Sequence, residues 1–178
     1  MKYLSILFLF FSKVLIAQTD PDNLYQDFIK GYDALNAEAV ARLYLDDAVI
    51  LNLYDGADPN AVKAMENIRN YFQSFFERVD ANQQKVKVTF KITQREKTGN
   101  TIYDNGFYRL EYSSQGQINR MSYGKLSAIL EKSNGHWKFK VDAQTNTTAE
   151  EYEKASGKLI HWNSSSSRRP SFPMFPQY

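Results

Sequence analysis

The sequence predicts an α+β fold with its helices gathered on one face of an antiparallel sheet. Three observations predict it. Amphipathic stretches of helical period come first, period-two stretches take over from Gln84, and short Gly, Asn and Ser turn signals separate those stretches in the order of a meander.

Leu24, Phe28, Tyr32 and Leu35 recur at helical spacing behind Asp20 and Asp22, which stand where a cap and a dipole partner belong. A second, shorter helix is expected from about Ala37 to Leu45, with Val40, Leu43 and Tyr44 on one side. Asp46 and Asp47 then lead into AVILNLY, whose β-branched residues read as a buried strand, and YDGADPN is a turn region. Met65, Ile68, Phe72, Phe75, Phe76 and Val79 form a broad helical stripe, so a third helix is expected from about Ala61 to Val79.

In the next stretch Val86, Val88, Phe90 and Ile92 face one way, and Lys85, Lys87, Thr89 and Lys91 the other. Thr98, Gly99 and Asn100 turn the chain into TIYDNGFYRLEY, and the turn around Ser114 to Gln117 leads to RMSYGKLSAILEK. Asn134-Gly135 is a strong hairpin signal, and GHWKFKVDAQTN is the last strand. About five strands are expected in all.

One core is expected from 178 residues with 43% hydrophobic content. Residues 1–17 carry Lys2, the apolar run Leu4 to Phe11 and small Ala17 before polar Gln18, the layout of a signal peptide cleaved near Ala17. Secretion or a periplasmic location is therefore expected, with no membrane span after cleavage. Lys2 and Lys13 leave with that segment, so the 22 basic residues fall to 20 and balance the 20 acidic ones. This balance argues against a nucleic-acid partner. With no Cys in the chain, disulfides and thiolate chemistry are excluded. Residues 18–148 are read as the domain and 149–178 as a C-terminal extension, extended or disordered, whose AEEYEKASGKLIHW could form a short helix or strap before a Ser/Pro-rich tail.

LYLDDAVIL, GNTIYDNGFYRLEY and GKLSAILEKSNGHWKFKVDAQTN, in that order between about Asn23 and Thr148, resemble the nuclear transport factor 2-like superfamily. The likeness is to its SnoaL-like and ketosteroid isomerase-like branch. That resemblance implies a cone-shaped, curved sheet wrapped over three N-terminal helices, a pocket between them, and a homodimer through the outer sheet face. Isomerases, cyclases and dehydratases occur in such a superfamily beside pockets without known chemistry, so function has to be argued from the site.

Asp104 shares parity with Ile102, Tyr108 and Leu110 and is the candidate catalytic acid or base on the inward face. It also reads as part of a strand-bending Asp-Asn-Gly element whose Asp hydrogen-bonds nearby backbone. Tyr44, Asn52, Tyr71, Phe72, Phe75, Phe76, Tyr108, Leu110 and Tyr123 are the expected pocket residues, aromatic walls with a few polar points. Asp142 follows Trp137, Phe139 and Val141 out of phase, so without a bulge it points away from the core. His136 and His161 read as surface residues remote from acids at ligand spacing, and neither a metal nor a cofactor is expected. Three functions stay open: binding of a small, largely apolar molecule; an isomerase, dehydratase or cyclase using Asp104 and pocket tyrosines; and a dimeric assembly module.

Overall fold

The computed structural model describes residues 20–161. The expected signal peptide and the Ser/Pro-rich tail lie outside them. Helix α1 (Asp22–Asp33) buries Leu24, Tyr25, Phe28 and Ile29, and the Asp20 carboxylate accepts from the Asp22 N–H at its start, 3.0 Å. Helix α2 (Ala37–Ala41) is capped by Asn36, whose side chain accepts from the Ala39 N–H. The two helices meet at Gly31, where a Cβ would stand 2.5 Å from Val40 Cγ2.

Strand β1 (Tyr44–Asn52) begins earlier than its apolar run, and β2 (Asn60–Lys63) takes residues the periodicity assigns to the third helix. Helix α3 (Met65–Ala81) starts only after Ala64 turns the chain at φ 70°. Strands β3 (Lys85–Thr98), β4 (Thr101–Ser114), β5 (Gln117–Ser133) and β6 (His136–Asn146) form the expected meander. Residues assigned to the extension add helix α4 (Ala149–Lys154) and strand β7 (Lys158–Ile160).

The sheet therefore has seven strands rather than about five, in the order β2-β1-β6-β5-β4-β3-β7, and β1 runs parallel to β6. The added β2 and β7 cover both edges of the predicted set, which would otherwise leave unpaired backbone groups. Three one-residue bulges interrupt the meander: Thr93 in β3, Asn119 in β5 and Lys140 in β6. Each bends its strand and increases twist, curling the sheet around α1 and α3. Opposite the first bulge, a Cβ on Gly106 would lie 2.3 Å from the Lys91 carbonyl oxygen, so only glycine admits that approach.

The concave face holds the main core. Phe28 stands edge-on to Phe72, Phe90 and Phe139 with ring centroids 5.5 to 5.9 Å apart, and Phe72 stacks on Phe76. On the convex face α4 places Tyr152 over β3 and β4, where the Lys91 ammonium donates to the Tyr152 carbonyl at 2.6 Å and lies 4.1 Å from its ring centre. Part of the outer face through which the resemblance implies dimerisation is thus covered by the chain itself.

Candidate functional site

The lining of the cone cavity, about 290 Å³, comes from α1, α3, the segment after β1 and the inward residues of β3 to β6. Five of the nine expected pocket residues border it: Tyr71, Phe75, Tyr108, Leu110 and Tyr123. Of these, Tyr123 only meets its edge, since its ring packs 5.3 Å from Tyr152 on the other face. Phe72 and Phe76 lie in the core beneath it, at 2% and 3% exposure. Tyr44 and Asn52 stand one layer behind the wall and act through residues that do reach the cavity.

Asp142 is the main correction to the sequence reading. Ile129 pairs with Val141 while Leu130 pairs with Phe139, so Lys140 is an extra residue and the strand changes phase there. Phe139 before the bulge and Asp142, Gln144 and Asn146 after it all reach the cavity. The sequence conceals this because Val141 and Ala143 continue the apolar alternation although they now face outward, each only half-buried.

The Tyr44 hydroxyl donates to Asp142 Oδ2 at 2.6 Å, and Oδ1 has no hydrogen-bond partner among the described residues. Burial pushes the Asp142 carboxyl above the usual carboxylate range, and the Tyr44 hydrogen bond draws it only partly back. Its remaining exposure is to the cavity it lines, which is how a partly accessible side chain is also deeply desolvated.

Around this acid the polar groups are largely committed. The Gln144 amide donates to Asn52 Oδ1 at 2.8 Å and to the Tyr71 hydroxyl at 3.2 Å, and Tyr71 donates to the same Asn52 oxygen at 3.4 Å. Tyr54 and Tyr108 hydroxyls share one hydrogen bond at 3.3 Å. Burial raises the tyrosines: Tyr108 is pushed up to about 12 and Tyr54 and Tyr71 higher still, so each keeps its phenolic proton at neutral pH. Tyr108 itself is seated by its cross-strand neighbour Gly124, because a Cβ there would fall 2.1 Å from the ring.

Asp104 faces inward as its parity requires, yet it is not part of the cavity wall. Its side chain is fully buried, accepting from the Tyr25 hydroxyl at 2.8 Å and from Arg95 through two nitrogens at 2.7 Å each. Arg95 also donates to Asp22 at 2.7 Å, tying β3 and β4 to the start of α1. A carboxylate so occupied has no oxygen left for a ligand. Among the described residues, no group of three or more His, Asp or Glu is placed to hold a metal ion.

No protein-family model matches the sequence, and no curated protein does either. Solved structures match in shape. A ketosteroid isomerase-like protein from Erwinia carotovora shares 13% identity at a TM-score of 0.56, over 72% of this chain and 94% of its own. A putative scytalone dehydratase from Novosphingobium aromaticivorans shares 12% at 0.57, over 80% and 85%. An NTF-2-like protein of unknown function from Shewanella oneidensis shares 11% at 0.54, over 70% and 94%. At such identities the likeness speaks for the fold: the chain has the nuclear transport factor 2-like fold, a curved sheet curled over helices with a cavity between.

Proposed function

We propose that the chain binds a small, largely apolar molecule in the cone cavity and that Asp142 exchanges a proton with it, as an isomerase or dehydratase requires. The observation that carries this reading is the Asp142 carboxyl, one oxygen held by Tyr44 and the other open to an aromatic-walled cavity. A carboxyl raised by burial has moved toward neutral pH, where it can both take and return a proton. Tyr54 and Tyr108 hold one hydroxyl proton beyond the one they share, available to a carbonyl or hydroxyl on the ligand. The two similar folds whose names include an isomerase-like protein and a putative dehydratase support the same class. Secretion through the segment ending near Ala17 is proposed with it, on the strength of Lys2, the Leu4 to Phe11 run and Ala17.

Native mass spectrometry of the protein purified from its own envelope fraction tests binding directly: a bound small-molecule mass is expected. Turnover of that molecule should fall by roughly a hundredfold or more in Asp142→Asn. Undiminished turnover in a folded Asp142→Asn protein ends the proton-transfer reading, whereas Asp104→Asn should act through stability alone.

A further inference from the structure

The hydrogen-bond inventory of the cavity restricts what it can hold. Both Gln144 N–H groups are spent on Asn52 and Tyr71, and the Tyr71 proton goes to Asn52. The Tyr44 proton goes to Asp142, and one of the two protons of the Tyr54–Tyr108 pair is used within that pair. What remains facing the cavity includes donors, the Asn146 amide N–H groups, the Ser122 and Tyr32 hydroxyls and one proton of the Tyr54–Tyr108 pair, beside two acceptors that take no hydrogen bond from the wall among the described residues, Asp142 Oδ1 and the Gln144 carbonyl oxygen. No Lys, Arg or His lines this cavity among the described residues. Arg120, stacked 3.8 Å from the Tyr112 ring centre, is not a lining residue.

An anionic ligand would therefore lose its hydration shell without gaining a cation, and would face the single acid of the wall. A neutral ligand that only accepts hydrogen bonds would leave Gln144 Oε1 without a partner, and Asp142 Oδ1 as well whenever that carboxyl is ionised. A cation with N–H groups satisfies both and supplies the counter-charge that the buried acid lacks. Phe28, Tyr32, Phe75 and Phe90 add aromatic surface of the kind that attracts an ammonium.

We infer that the ligand of this cavity is a primary or secondary amine on a compact apolar body, bound in its ammonium form with its N–H groups on Asp142 and Gln144. The inference rests on the binding reading above and narrows its ligand class. If the free carboxyl is protonated when a neutral amine enters, its O–H proton moves to the nitrogen, leaving carboxylate and ammonium.

Calorimetric titration of the full chain with naphthylmethylamine, naphthylmethanol and naphthoate compares one apolar body carrying a cationic, a neutral and an anionic group. The amine should bind about tenfold or more tightly than the alcohol, one charge-assisted contact's worth of preference, and naphthoate should not bind. Asp142→Asn, checked for folding by its thermal transition, should bring amine and alcohol to parity, and Asp142→Glu should keep the preference. Alcohol binding as tightly as amine in the unmodified protein overturns the inference and leaves the cavity a binding site. Amine preference surviving in Asp142→Asn also overturns it. Binding of none of the three overturns the inference and the binding reading together.

Discussion

Arg95→Ala removes the cation that holds Asp104 while leaving the carboxylate in place. The Asp104 side chain is 0% exposed and Arg95 24%, so the remaining acid would keep one hydrogen bond, from Tyr25, in a site water enters only along the vacated guanidinium path. Breaking a buried pair from one side costs about 3–5 kcal/mol, and the partial exposure of Arg95 argues for the lower end, about 3 kcal/mol. That is a large share of a typical domain's stability of roughly 5–15 kcal/mol, and corresponds to a fall in melting temperature of about 6–12 °C. Urea denaturation at neutral pH measures it, and a double-mutant cycle with Asp104→Asn should show the two residues strongly coupled. Ligand affinity of the folded variant should be unchanged, because neither residue lines the cavity. A loss below about 1 kcal/mol would refute the energetic reasoning. Lost ligand affinity with unchanged stability would return Asp104 to the site.

Two further perturbations probe the cavity. Asp142 has its folded value raised, so the folded state holds this proton more tightly than the unfolded chain; its contribution is present below about pH 4 and is lost as pH rises through the folded value. Asp142→Asn should therefore raise the stability at neutral pH, with the gain vanishing below about pH 4, and equal gains at both pH values in denaturant titrations would contradict the burial argument. Gly124→Ala forces a Cβ to 2.1 Å from the Tyr108 ring, and should cost about 1–3 kcal/mol while shifting the Tyr108 ring resonances. An unchanged Tyr108 spectrum would show that the ring does not rest on Gly124.

The sequence by itself determined the class of the fold, because hydrophobic period is a local property. The stripe from Ile68 to Val79 makes α3 amphipathic wherever it packs, and alternation from Val86 to Ile92 leaves β3 one buried face. Side chains that wall a cavity were legible in the same way: Phe75 from the helical stripe, Tyr108 and Leu110 from strand parity. Local propensity was less able to place β2 and β7, short strands that exist because the neighbouring edges need partners.

Which acid meets the cavity was decided only by the tertiary structure. Asp104 had the right parity and was captured by Arg95, nine residues away along β3 and β4, together with Tyr25 from α1. Asp142 had the wrong parity until the extra residue at Lys140 reversed it, and neither Lys140 nor Val141 carries a Gly or Pro signal of a bulge. Parity is counted along one strand, whereas a bulge arises from fitting that strand to a curved neighbour. The carboxylate at the cavity wall is therefore a consequence of sheet curvature, which no window of the sequence contains.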